Sequence, residues 1–117
     1  MSDSDKHAEQ QGGGDAQARL RIGQLVHHKL LDYRAVIMAI DATFQSTNNW
    51  YETMAPSQPP KDEPWYHVLV HDVAQSDYVA ECDLEPDLTG EPINHPSLER
   101  IFQELRDGIY RLRQRSN

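Results

Sequence analysis

Two short apolar runs, residues 65–71 and 78–80, constrain the fold more than any other part of the sequence. They are rich in aromatic and β-branched residues, and residues 73–77 between them have the composition of a turn. Runs this short, bounded by polar residues, are typical of strands rather than helices. We therefore predict two neighbouring strands at the centre of a mainly β domain.

Three further segments are predicted to complete the sheet. Residues 22–28 alternate, with Ile22, Gln24, Val26 and His28 on one face. Residues 35–41 form a nearly continuous apolar run, which indicates a strand buried on both faces, and residues 83–86 are expected to close the sheet. Residues 42–64 lose the alternation and collect prolines, so we predict a long surface loop. Trp50 and Tyr51 within it are expected either to form a brief helical turn or to pin the loop to the strands.

The end of the chain is predicted to be helical. Ser97 is a plausible N-cap, and an apolar stripe with helical spacing follows it. The stripe contains Leu98, Ile101, Phe102 and Leu105. We expect a C-terminal helix from about residue 97 that packs on the sheet, Gly108 to weaken it, and residues 106–117 to be a basic tail or an extension of the helix. Residues 1–18 are predicted to be a disordered arm, which leaves residues 19–105 as one folded domain.

Composition narrows the class of protein. The 117 residues are 38% hydrophobic and 26% charged, and no apolar run approaches the length of a transmembrane helix. The first 18 residues lack the apolar centre of a signal peptide, and Cys82 is the one cysteine. We expect a cytoplasmic protein that does not associate with membranes.

The net charge of −8 opposes strong non-specific binding to nucleic acid. The charge is unevenly distributed, however, because residues 19–40 carry four basic side chains against Asp32. Those four are the candidate phosphate contacts, namely Arg19, Arg21, Lys29 and Arg34. The alternative is that they merely solubilise the surface.

No catalytic or metal-binding pattern is present in the sequence, so we predict no enzymatic activity, no cofactor and no metal. His27 and His28 are adjacent on a strand and point to opposite faces, while His67 and His71 lie too far apart to share an ion. A metal site assembled across strands stays open. Cys82 lies between two acidic residues that disfavour its thiolate, and we interpret it as a small packing residue.

Aromatic residues gather around the long loop and the central strands. They could stack on nucleic-acid bases or anchor a peptide, and the alternative is that most of them belong to the core. The candidates for contacts with a partner or with bases are Tyr33, Trp50, Trp65 and Tyr66.

Short motifs along the chain resemble the HspQ/YccV-like family. They are Ile22-Gly23-Gln24-Leu25-Val26-His27-His28, Pro64-Trp65-Tyr66-His67-Val68-Leu69, Tyr78-Val79-Ala80-Glu81 and His95-Pro96-Ser97-Leu98. The resemblance spans residues 22–105. It implies a small, strongly bent β-barrel of SH3-like type, with about five strands and a C-terminal helix.

The resemblance implies two functions. The first is a non-enzymatic stress-response factor that promotes degradation of denatured proteins by modulating an ATP-dependent protease, and this is the function we favour. The second is a DNA-binding protein that recognises hemimethylated DNA, which the acidic net charge makes less favourable for a monomer. The resemblance also implies a homo-oligomer. An interaction domain with an unrelated partner is a third alternative.

Overall fold

The structure is a computed structural model that describes residues 18–55 and 57–113. It is mainly β, as predicted. The strands are β1 (Leu25–His28), β2 (Arg34–Asp41), β3 (Trp65–Val70), β4 (Ser76–Ala80), β5 (Leu84–Pro86), β6 (Phe102–Arg106) and β7 (Ile109–Leu112). The helices are α1 (Asn48–Met54) and the single turn α2 (Leu98–Ile101), and a 3₁₀ turn spans Glu81–Asp83. No helix of the described residues is long and apolar enough to span a membrane.

Five strands form one antiparallel sheet in the order β4-β3-β2-β1-β5, and β6 and β7 form a separate hairpin. The predicted pair of strands at residues 65–80 is confirmed as β3 and β4. Within the described ranges the strands form no closed barrel, so the SH3-like barrel stays a prediction. A register shift between Ile37 and Ala39 marks a bulge in β2, and bulges of this kind bend a sheet.

Both faces of the central strands are buried, because alternate side chains enter two apolar clusters. Val26, Ile37 and Val68 belong to the cluster on one face, and Leu25 and Leu69 belong to the cluster on the other. Phe102 and Tyr110 from the β6–β7 hairpin cover the second face. The strand predicted to be buried on both faces, residues 35–41, is therefore confirmed, although its last residues are only half-buried.

The predicted C-terminal helix is wrong beyond its first turn. Ser97 precedes α2, but Phe102 is already extended, with φ −114° and ψ 149°. Asp107 and Gly108 are both left-handed, with φ of 57° and 80°, which is the conformation that a tight two-residue hairpin turn requires. Of the apolar residues that matched a helical stripe, Leu98 and Ile101 lie in α2, whereas Phe102 and Leu105 lie in β6. All four still pack in the same apolar cluster, and the folded chain continues past residue 105 to β7.

Gly23 fixes the position of that hairpin. Its carbonyl accepts a 2.8 Å hydrogen bond from the Tyr110 amide. A Cβ atom at Gly23 would lie 2.0 Å from the Tyr110 carbonyl oxygen, and the backbone has φ +90°. Only glycine fits this contact. The left-handed backbone at Gly23 also interrupts the extended conformation, so β1 begins at Leu25 rather than at residue 22 as predicted.

The long loop is partly ordered by α1. Thr47 caps the helix, because its hydroxyl accepts a hydrogen bond from the Trp50 amide. Phe44, Trp50 and Tyr51 then pack around the buried Trp65, the first residue of β3. The brief helical turn predicted near Trp50 is confirmed and is longer than expected. The predicted disordered arm, residues 1–18, lies outside the described residues except for Ala18, which packs against the core.

Candidate binding surfaces

The four predicted phosphate contacts do not form one surface. The side chain of Arg34 is 21% exposed and is held 2.8 Å from the Asp87 carboxylate, and it also donates to the Glu91 and Pro92 carbonyls. Burial opposes ionisation of Asp87, but the hydrogen bonds from Arg34 and Thr89 keep its pKa below the ordinary value. Arg34 therefore fastens the segment after β5, and contact with phosphate would break these bonds.

Arg19 and Lys29 lie together, but among acidic side chains. They line one groove with Glu81 and Glu85. The Arg19 Nε atom is 3.0 Å from Glu81, and the side chain is still 77% exposed. Because the carboxylates cancel much of the positive potential, this groove is a weak site for phosphate.

Arg21 lines a groove of about 920 Å³ together with Arg19. Arg21 also borders a second groove, formed in part by arginines that the sequence analysis placed in a basic tail. It lines this second groove with Arg106 and Arg111 of the β6–β7 hairpin, and Asp107 is the one acidic residue there. Arg106 is paired with Glu104 at 2.9 Å. The Asp107-Gly108 turn was the signal that would have placed these arginines on a hairpin rather than on a tail. We call the groove lined by these three arginines the arginine groove.

Two of the four candidate aromatic residues belong to the core. Trp65 is 1% exposed and Tyr66 is fully buried, so the structure contradicts direct contact of either ring with a partner. The Trp65 indole donates to the Pro60 carbonyl at 3.0 Å, which secures the end of the long loop. Sequence alone could not decide this, because the two rings point to opposite faces of β3 and both faces turned out to be covered.

Tyr66 belongs to a buried polar network. Its hydroxyl donates to Glu81 at 2.6 Å and accepts from the Leu20 amide at 3.3 Å. Glu81 also accepts from the backbone and the side chain of Arg19. Burial of the Glu81 carboxyl opposes ionisation, but these donors outweigh it and lower its pKa. The network attaches the segment before β1 to the sheet.

The other two candidates, Tyr33 and Trp50, are half-buried. The Tyr33 hydroxyl donates to Asp77 at 2.6 Å, and its ring lies 5.0 Å from the His28 ring. Burial and this hydrogen bond raise the pKa of Tyr33 far above its ordinary value. Tyr33 therefore supports the β1–β2 turn, while Trp50 remains available to a partner.

An apolar groove lies beside the β1–β2 turn. Three of the most exposed large apolar side chains surround it, with Leu30 62%, Leu31 64% and Met54 59% exposed. Its volume is about 120 Å³, and Val79 and Ala80 of the edge strand β4 form part of its wall. Asp77 and Asp83 also line it. The sequence analysis did not select Leu30 and Leu31, which lie between the strands predicted at residues 22–28 and 35–41.

His28 holds the tip of that turn. Its Nδ1 atom accepts hydrogen bonds from the Leu30 and Leu31 amides at 3.1 and 3.0 Å. The residue is 6% exposed, and burial lowers its pKa, partly offset by Asp83 and Asp77. A neutral His28 thus fixes the backbone that presents the two leucines.

Neither Cys82 nor the histidines form a reactive or metal-binding site among the described residues. Cys82 is exposed, so its interpretation as a packing residue was wrong. Partial desolvation and the Asp83 carboxylate raise the pKa of its thiol, which confirms that the thiolate is disfavoured. Within residues 18–55 and 57–113, no three His, Cys, Asp or Glu side chains lie close enough together to hold a metal ion.

A family model described as "Hemimethylated DNA-binding protein YccV like" matches residues 18–109. The match begins at Ala18, the first described residue, and includes every strand of the five-stranded sheet as well as β6. The motifs that suggested the resemblance lie inside this range. The chain therefore belongs to the YccV-like family, which is named for binding of hemimethylated DNA.

Proposed function

We propose that this protein is a non-enzymatic, cytoplasmic stress-response factor that binds denatured proteins and promotes their degradation by an ATP-dependent protease. The observation that carries this proposal is the apolar groove. Leu30, Leu31 and Met54 are each more than half exposed around it. Clustered exposed apolar side chains are typical of protein-binding sites, and denatured proteins expose the apolar segments that such a groove would take.

The position of the groove supports binding of an extended segment. β4 is the edge strand of the sheet and forms one wall, and edge strands are common sites for adding an extended peptide. The protease partner and the stress response come from the family resemblance. Self-association, which the resemblance also implies, would place several grooves on one particle and strengthen binding by avidity.

Replacing both Leu30 and Leu31 with Ser tests the proposal. Leu88→Ser is the matched control, since Leu88 is 91% exposed and does not line the groove. We expect the double variant to bind a fluorescently labelled, chemically unfolded protein at least tenfold more weakly. We also expect it to lose stimulation of that protein's degradation by the responsive member of a panel of purified ATP-dependent proteases. Equal binding and stimulation by the wild type, the double variant and the control would reject the groove as the binding site.

Binding of hemimethylated DNA is the second candidate, and the arginine groove together with the family description favours it. Arg111→Gln removes a cation from the groove, and Arg100→Gln removes one outside it. We expect Arg111→Gln alone to weaken duplex binding and to reduce the salt slope by about one. Preference for a hemimethylated over unmethylated and fully methylated duplexes at about 150 mM salt would support this function. Binding that ignores methylation and disappears with salt would reject it. Light scattering in the same buffer would report self-association.

A further inference from the structure

Another pocket lies on the surface where β2 ends and α1 begins. Its volume is about 360 Å³. It is lined by Asp41, Gln45, Ser46, Trp50, His67 and Tyr78. Nothing in the proposed function uses it, and the family description does not assign it a role.

The pocket combines a carboxylate with aromatic rings. The Trp50 and Tyr78 rings meet at 67° with their centroids 5.5 Å apart, and the His67 ring lies 4.5 Å from that of Tyr78. Asp41 Oδ2 accepts a 2.7 Å hydrogen bond from the Tyr78 hydroxyl and lies 3.1 Å from His67 Nε2. The side chain of Asp41 remains 25% exposed, so its carboxylate can still meet a ligand.

The rings are held in place before any ligand arrives. The Tyr78 hydroxyl accepts a hydrogen bond from the Gln45 amide at 3.0 Å while it donates to Asp41. Trp50 packs against Phe44 and Trp65, with ring centroids 6.0 and 6.2 Å away. A ligand would therefore meet a formed site, which reduces the entropic cost of binding.

The charge and the rings both favour a cation. Aromatic faces attract cations, and a carboxylate beside them adds an ionic partner. The same aromatic cluster already holds a cation on another side, since Lys61 Nζ lies 4.3 Å from the Tyr51 ring centre. All lining residues of the pocket come from residues 41–105, which contain thirteen acidic residues and only Lys61 and Arg100 as basic ones, so the pocket belongs to the acidic part of the chain.

We propose that this pocket binds an arginine side chain of a protein partner. A planar guanidinium can stack on an aromatic ring and donate to a carboxylate at the same time, which a lysine ammonium cannot do as well. Tyr78 also lines the apolar groove, so one extended segment can place an apolar side chain in the groove and an arginine in the pocket. The inference rests on the proposed function in that it takes the ligand from a protein.

The test is an NMR titration of the full chain with a five-residue capped peptide that carries one arginine between glycines. The comparison peptide carries citrulline, which has the same shape without the charge. We expect saturable shifts of the Trp50 indole N–H with the arginine peptide, and about tenfold weaker binding of the citrulline peptide. Asp41→Asn should weaken arginine binding about tenfold. Glu52→Gln, an equal change of charge on α1 outside the pocket, should leave it unchanged.

Equal affinity for the two peptides on the wild-type protein would overturn the proposal, and so would shifts confined to residues outside the pocket. These results do not depend on whether the Asp41 variant folds. The inference and the proposed function can also fail separately. If the wild type binds the arginine peptide and the Leu30/Leu31 variant still stimulates degradation normally, the groove is rejected and the pocket is kept. If the wild type does not discriminate between the peptides and the Leu30/Leu31 variant loses stimulation, the pocket is rejected and the groove is kept.

Discussion

Replacing Tyr66 with Phe should destabilise the domain by about 2.5–4 kcal/mol. The ring stays buried, and only the hydroxyl is lost. That hydroxyl donates to Glu81 and accepts from the Leu20 amide, and a hydrogen bond to a charged group contributes about 1.5–3 kcal/mol. The orphaned Leu20 amide adds about 1 kcal/mol. For a domain of this size, a loss of about 2.5 kcal/mol corresponds to a melting temperature lower by about 10–20 °C.

The loss should also depend on pH. Hydrogen bonds keep the folded-state pKa of Glu81 below its ordinary value of 4.5, so its ionisation stabilises the fold above that value. This contribution disappears as the pH falls through the folded-state pKa. Without the Tyr66 donor, burial raises the pKa of Glu81 again. The stability difference between the wild type and Tyr66→Phe should therefore be larger at pH 7 than at about pH 4.

Urea denaturation at the two pH values measures both effects. Tyr51→Phe is the control, because its hydroxyl donates to the neutral Pro59 carbonyl at 2.6 Å. We expect it to cost only about 1 kcal/mol with no change with pH. If Tyr66→Phe lowered the free energy of unfolding no more than the control, or by the same amount at both pH values, the buried network around Glu81 would not stabilise the fold in this way.

Two further predictions concern the backbone contacts that position the hairpin and the turn. Gly23→Ala should lower the free energy of unfolding by more than about 3 kcal/mol, since its Cβ would overlap the Tyr110 carbonyl. At Gly108 an added Cβ meets nothing, so Gly108→Ala should cost only about 1–2 kcal/mol from its left-handed backbone. Equal losses of stability for the two variants in thermal melts would contradict this account. Burial lowers the pKa of His28, so stability should fall as the pH drops below about 6.5, where the unfolded chain takes up the proton first. His28→Asn keeps an acceptor for the turn and should remove this decline. The wild type and His28→Asn should both be compared in a His27→Gln background, because hydrogen bonds with Asp32 and Glu85 raise the pKa of His27, which makes stability rise as the pH falls. If stability still declines at low pH in the His28→Asn variant, the decline comes from another group.

Local sequence was sufficient for the strands whose pattern and burial agree. The strands predicted at residues 65–71 and 78–80 correspond to β3 (Trp65–Val70) and β4 (Ser76–Ala80), because short apolar runs bounded by polar residues have few alternatives. Local sequence was misleading where the same residues fitted both a helical and a strand pattern. Leu98, Ile101, Phe102 and Leu105 satisfy a helical stripe, yet Asp107 and Gly108 adopt a tight turn that makes 102–112 a hairpin.

Composition and spacing by themselves determined that the chain is mainly β, acidic and centred on the segment that carries the family motifs. Which side chains remain available to a partner was decided only by tertiary packing. Trp65 and Tyr66 are buried because the sheet is covered on both faces, and Arg34 is occupied because Asp87 lies beside it across the fold. Leu30, Leu31 and Trp50 stay accessible because nothing in the described chain covers them completely. Accessibility depends on contacts between residues distant in sequence, and a local pattern does not record those contacts.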